Sequence, residues 1–164
     1  MKNKLVQTVV GSFLGLLMLF AAGQVFVAGQ GNEKQEQRNE RNIQGTWRTV
    51  VTPRNCQTGT PVAPAFPGLL GFNDGGTLAG TSTVAPSVYG VWKRENGWRN
   101  YSFAFANLRF NSSGTFIGTQ TVRQTAKIAA NGNEFTSTGI IEVFDTNGTQ
   151  IGAGCATSTG TRFE

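Results

Sequence analysis

The amino-acid sequence predicts an all-β protein, an eight-stranded antiparallel up-and-down barrel that follows an N-terminal signal segment. Hydrophobic and polar residues alternate with a period of two after Gln44, which is typical of half-buried strands. Short turn sequences rich in Asn, Asp and Gly recur along the chain, as they do between the strands of β-hairpins. No stretch after residue 42 keeps the 3.6-residue period of a helix.

Residues 1–29 are predicted to be a signal peptide. Lys2 and Lys4 precede an apolar run that extends to Ala28, and small residues suitable for cleavage follow at Val27-Ala28-Gly29. The alternative is an uncleaved membrane anchor, because about 20 apolar residues can span a bilayer. We therefore expect an exported chain, periplasmic or extracellular, with no stable membrane insertion once the signal is removed, or an exported domain held by that anchor.

Residues 30–42 are predicted to be a charged, disordered linker before a β-barrel domain at 43–164. The linker carries three acidic and three basic residues and no apolar side chain after Gly31. Such a stretch cannot bury enough surface to fold. The chain thus has one globular domain.

Eight strands are predicted in the domain, each bounded by turn residues. Short hairpin connections force an antiparallel meander, and eight twisted strands remove their exposed edges most easily by closing into a barrel. The one long connection, 53–67, is expected to cross or cover a barrel end. The strands are predicted at 43–52, 68–73, 76–83, 88–94, 99–110, 115–129, 134–145 and 149–163.

Alternation along the strands predicts which side chains face the interior. The stretch from Tyr101 departs from strict alternation, because its apolar side changes near Ala106. A β-bulge there is the simplest interpretation. The residues predicted to face inward are Ile43, Trp47, Thr49 and Val51 in the first strand, Phe116, Gly118, Gln120, Val122, Gln124, Ala126 and Ile128 in the sixth, and Phe135, Ser137, Gly139, Ile141 and Val143 in the seventh.

Cys56 and Cys155 are the only cysteines, and an exported chain meets an oxidising compartment. We therefore expect a disulfide between them. They would be neighbours if the first and last strands pair.

Composition excludes several classes of function. The chain has no histidine, which removes Ser-His-Asp and Cys-His catalytic sites and histidine-ligated zinc. We expect no metal and no cofactor. The basic residues of the domain are scattered instead of clustered, so nucleic acid is not an expected partner.

Two sets of motifs carry a family resemblance. Gly45-Thr46-Trp47 at the start of the first strand and Thr161-Arg162 at the end of the last resemble the calycin superfamily of lipocalins and avidins. The resemblance implies that Arg162 packs over the indole of Trp47, a cation–π contact. Avidins have an asparagine where this chain has Thr49, so biotin binding is not expected.

The second set is Gly90-Val91-Trp92, Tyr101-Ser102-Phe103 and Gly160-Thr161-Arg162. It is similar to a group of exported bacterial proteins of unassigned function. This resemblance supports the fold more than any chemistry.

The inward-facing polar residues suggest a ligand site. Gln120 and Gln124 are predicted to face inward, with Trp47, Tyr89 and Ser137 lining the same interior. A small eight-stranded barrel can hold one modest ligand. We therefore expect a non-catalytic barrel that binds a small, mostly apolar molecule, although the glutamines alternatively bond each other or buried water.

Two alternatives remain open. A barrel cyclase or isomerase requires an acidic or phenolic group inside the barrel, beside a cavity. A structural or adhesive envelope module predicts a filled barrel and an exposed aromatic patch, for example around Trp92 and Trp98. A cavity of at least about 300 Å³ that opens to solvent separates the first two functions from the third.

Overall fold

The computed structural model of the chain describes residues 42–163, so the predicted signal peptide and nearly all of the predicted linker lie outside the described residues. This part contains one 3₁₀ turn at Asp74–Gly76 and no α-helix. Correspondingly, none of the described residues forms a helix able to cross a membrane. The strands are β1 (Gly45–Arg54), β2 (Phe66–Phe72), β3 (Thr77–Ser82), β4 (Val88–Arg94), β5 (Asn100–Phe110), β6 (Phe116–Ile128), β7 (Glu134–Phe144) and β8 (Gln150–Arg162).

Each strand pairs antiparallel with the next, and β1 also pairs with β8, which closes the barrel. The closing register begins with Trp47 opposite Arg162 and ends with Arg54 opposite Cys155. The predicted fold class, an eight-stranded up-and-down barrel, is confirmed, and every predicted strand corresponds to an observed one. This topology is compatible with a calycin-like fold.

An aromatic plug fills one end of the barrel, which we call the plugged end. It consists of Trp47, Phe72, Tyr101, Phe103 and Phe135, all buried. The rings meet edge to face, with centroids 5.0 Å apart for Trp47 and Phe135 and 5.4 Å apart for Phe72 and Phe103, the geometry that aromatic quadrupoles favour. Gly160 on β8 makes room for this packing, because a Cβ there would overlap the ring of Phe135.

Arg162 joins separate segments of the chain at the plugged end. Its guanidinium carbon lies 4.4 Å from the centroid of the Trp47 ring, the contact that the calycin resemblance implies. The same guanidinium donates hydrogen bonds to the carbonyls of Asn42 at 2.8 Å, Gln44 at 2.7 Å and Gly132 at 2.9 Å. Burial lowers the pKa of Arg162 from its ordinary value, yet an arginine remains charged at any physiological pH.

Cys56 and Cys155 form a disulfide, with their Cα atoms 5.1 Å apart, as predicted. Cys155 lies on the outer side of β8, since its neighbour Ala156 faces inward and is buried. The bond therefore fixes the long connection 55–65 to the outer wall. No residue of 55–65 lines the interior cavity described below, although Phe66, which belongs to the predicted connection 53–67, does line it. The disulfide joins cysteines that are 99 positions apart in the sequence. Closing a loop of about 100 residues contributes up to about 4.7 kcal/mol in the chain-entropy model.

The prediction of a β-bulge near Ala106 is wrong. Ala106 pairs in continuous register with Tyr89 on one side and Thr121 on the other, and the irregularity lies between Arg109 and Phe110. Alternation simply continues, so Leu108 faces outward. The mismatch arises because the outer face of β5 is apolar, a pattern that the sequence alone does not distinguish from a change of side.

The interior assignments on β1, β6 and β7 hold with one exception. Buried positions on β1, β6 and β7 follow the predicted alternation. Phe116, predicted to face inward, is instead 40% exposed. It lies at the end of its strand, where it packs edge to face on Phe110, because the register shift at Phe110 ends the regular alternation there.

Replacing Arg162 by methionine is expected to lower the free energy of unfolding by at least about 3 kcal/mol, because three partly buried carbonyls lose a charged donor. Urea denaturation measures the loss. The matched control is Arg123→Met, which removes an exposed ion pair with Glu142 and should change stability by less than about 1 kcal/mol. Equal losses in the two variants would contradict the role of Arg162 in joining these segments.

Tyr101 gives the plug a pH dependence. Desolvation by burial raises the pKa of its phenol, and the hydroxyl donates to the carbonyl of Trp98 at 3.0 Å. Between the unfolded pKa of about 10 and the raised folded value, the native state holds more protons than the unfolded state, so stability falls as pH rises. Above about pH 10, the free energy of unfolding measured by urea denaturation should fall more steeply with pH for the wild type than for Tyr101→Phe. The exposed Tyr89→Phe is the control, and parallel profiles for wild type and Tyr101→Phe would show this expectation to be wrong.

Candidate functional site

The candidate site is a cavity inside the barrel, between the aromatic plug and the opposite end, which we call the open end. Its volume is about 60 Å³. At the open end, inward-facing Gln120, Ile141 and Val143 are only partly buried. The walls are mainly apolar, formed by Val51, Phe66, Leu70, Val88, Phe103, Phe105, Val122, Ile141 and Ala156.

A polar cluster of Gln124, Ser137 and Ser158 lies at the inner part of the cavity, where Gln124 and Ser158 line the wall. The hydroxyls of Ser137 on β7 and Ser158 on β8 both donate hydrogen bonds to Oε1 of Gln124, at 2.5 Å and 3.3 Å. All three residues are buried. They come together because they are inward-facing positions on three consecutive strands, with Ser137 directly opposite Ser158. The cluster therefore satisfies the Gln124 carbonyl within the protein.

A second polar pair lies nearer the open end. Asn107 on β5 is directly opposite Gln120 on β6, and both side chains line the cavity. Asn107 is 8% exposed. Its amide nitrogen donates to the carbonyl of Leu108 at 3.3 Å, but its Oδ1 atom is buried without a hydrogen-bond partner. An unpaired buried acceptor costs about 1–3 kcal/mol.

Asn107 is the functional candidate that the sequence reading missed. The predicted bulge near Ala106 broke the alternation just before it. Continuing the period of two from Tyr101 through Phe103 and Phe105 would have placed Asn107 inside. That simple extension is the signal that was available in the sequence.

The structure brings together only some of the predicted site residues. Gln120 and Gln124 line the cavity, and Ser137 is bonded to Gln124 behind the wall. Trp47 lies in the plug, where its indole nitrogen donates to the carbonyl of Ile43 at 2.8 Å. The predicted placement of Tyr89 in the interior is wrong, because its side chain is 69% exposed. The preceding residue on β4, Val88, is the one that faces inward and is buried.

The aromatic patch expected around Trp92 and Trp98 is only half present. Trp92 is partly buried against Phe72, and its indole nitrogen donates to the carbonyl of Asn73 at 2.9 Å. Trp98 is partly exposed beside Arg99.

The larger exposed apolar surface lies elsewhere. We call it the apolar outer face and define it as Tyr89, Val91, Leu108 and Phe110, all more than half exposed. Ala104 and Ala106 lie between these residues in the sheet, opposite Val91 and Tyr89.

The cavity wall carries no ionisable side chain among the described residues. Glu142, the nearest carboxylate in the seventh strand, lies on the outer face and pairs with Arg123. Arg109 follows Asn107 by two residues, at the open end, and does not line the cavity. Within residues 42–163 no group of His, Cys, Asp and Glu is arranged to hold a metal ion.

Comparisons with known proteins add no assignment to this geometry. No protein-family model matches the chain, and no curated protein matches it.

Proposed function

We propose that this protein is an exported, non-catalytic β-barrel that binds a small, mostly apolar molecule through the open end of the barrel. The observation that carries the proposal is the buried Oδ1 atom of Asn107, which lacks a partner and belongs to a residue of the cavity wall. Buried polar atoms are nearly always paired. A bound molecule with a hydrogen-bond donor satisfies this acceptor while its apolar part contacts the surrounding walls.

Export is supported by the N-terminal sequence and by the disulfide between Cys56 and Cys155. Such bonds persist mainly in the periplasm or outside the cell. An uncleaved N-terminal anchor gives the same exposure to an oxidising compartment. In either case the barrel meets its ligand outside the cytosol.

The cavity volume limits how the ligand binds. At about 60 Å³, the enclosed space falls well short of the roughly 300 Å³ at the lower end for small-molecule sites. Only one end of the ligand fits inside. The rest lies at the open end, where Phe66, Phe105 and Ile141 are partly exposed and a Cβ on Gly154 would meet no atom within 4 Å.

A structural or adhesive module is the second candidate function. The small cavity favours it, because a filled barrel is what that function predicts. The apolar outer face also favours it, since its four residues expose contiguous hydrophobic surface on β4 and β5. Such surfaces often mark contacts with other macromolecules. This module would act through its outer wall and would leave the interior without a ligand.

The enzyme alternative has the least support. It requires an acidic or phenolic group beside the cavity, and the cavity wall has neither among the described residues. The phenol of Tyr101 belongs to the plug, where it bonds the carbonyl of Trp98. Our proposal therefore includes no catalytic residue.

Gly154→Leu tests the ligand site. Gly154 pairs with Ile141, a residue of the cavity wall, so a leucine there should obstruct the open end. Stability should change by less than about 1 kcal/mol, because the side chain enters open space. Native mass spectrometry of the protein purified from its own host should show a bound small molecule on the wild type and little or none on Gly154→Leu.

The matched control is Ala153→Leu, an outward-facing exposed position on the same strand, which should retain the bound molecule. A wild-type mass equal to that of the bare disulfide-bonded chain would contradict ligand binding. That result would favour the outer-wall module.

A further inference from the structure

Building on the proposed function, we infer that the buried end of the ligand is uncharged and carries an O–H or N–H donor, as in an aliphatic alcohol or primary amide. Asn107 and Gln120 are the residues that recognise it. The inference depends on the ligand site proposed above, and it specifies the chemical class that this site selects.

The need for a donor follows from the unpaired acceptor. Oδ1 of Asn107 is buried without a partner, and only a group that donates a hydrogen bond can satisfy it. An ether or a plain hydrocarbon leaves it unpaired. The ligand therefore gains affinity over such analogues from this contact.

Gln120 completes the recognition pair. It lies directly opposite Asn107, which places the two Cβ atoms about 4.5–5.5 Å apart in an antiparallel ladder. No hydrogen bond joins the two amides in the described part of the chain, although both line the cavity. The Gln120 amide thus remains available to donate to a ligand oxygen. A hydroxyl or a primary amide both donates and accepts, so it matches both side chains.

The absence of charge in the wall sets the second requirement. The lining residues are apolar, hydroxyl or amide side chains, and burying an ion without a counterion is strongly unfavourable. Arg109 follows Asn107 by two residues, at the open end and outside the cavity wall. A carboxylate held by Arg109 is therefore the competing arrangement that the experiment must distinguish.

The deeper polar cluster does not compete for the same group. Oε1 of Gln124 already accepts from Ser137 and Ser158. The pair formed by Asn107 and Gln120 is thus the place in the cavity where an acceptor remains unsatisfied.

The experiment measures the affinities of a matched series of six-carbon compounds for the full exported chain by NMR titration of the side-chain amides. The probes are 1-hexanol, hexanamide, 1-methoxypentane, hexanoate and hexylammonium. We expect 1-hexanol and hexanamide to bind about tenfold more tightly than 1-methoxypentane, which accepts but cannot donate. The two ions should bind more weakly still, and the Asn107 and Gln120 amide signals should shift.

Asn107→Leu keeps the side-chain size and removes the acceptor, so it should abolish the preference for 1-hexanol over 1-methoxypentane. Thr121→Ala, an outward position opposite Ala106, is the control and should keep that preference. The wild-type series decides the question even if Asn107→Leu fails to fold.

The outcomes separate the two proposals. Tight binding of hexanoate, or equal binding of 1-hexanol and 1-methoxypentane, overturns the inferred ligand class and leaves the ligand site standing. No binding by any probe up to millimolar concentration, together with a bare protein from the host, overturns the ligand site and the inference with it.

Discussion

The contact of Arg162 with Trp47 makes the two ends of this barrel different. One guanidinium stacks on the buried indole and bonds three backbone carbonyls, including two from the residues that lead into β1. It therefore joins the start of the first strand to the end of the last, where the barrel closes. Because the aromatic plug lies directly behind this contact, any access to the interior is confined to the opposite end.

The barrel interior has two parts, which differ in whether their buried polar side chains have hydrogen-bond partners. The plug is apolar and closely packed, and the cluster around Gln124 bonds internally. Among the side chains of residues 42–163, a buried acceptor lacks a partner only near the open end, at Oδ1 of Asn107. Stable cores rarely tolerate such an atom without a reason, and here it lies in the wall of the cavity. The position of this one defect, rather than the size of the cavity, is what favours a ligand.

Much of the fold was predictable because the signals were local. Turn residues and the period of two located every strand, and the cysteine pair followed from the expected closure. The site was harder, because alternation identifies a face only where the two faces differ in polarity. On β5 the outer face is apolar at Leu108 and Phe110, so Asn107 was missed, and on β4 the aromatic character of Tyr89 suggested an interior position that Val88 occupies. Hydrogen-bond satisfaction, which distinguishes Asn107 from Gln124, depends on contacts between distant strands and has no local signature.

A high-resolution crystal structure of the protein purified from its own host tests the central claim most directly. We predict Arg162 stacked on Trp47 at one end and, at the other, density for an organic molecule with a donor within about 3.2 Å of Oδ1 of Asn107. A single ordered water at that position, or an Asn107 amide bonded only to protein groups in a collapsed cavity, would contradict the claim that the barrel is built to hold a ligand.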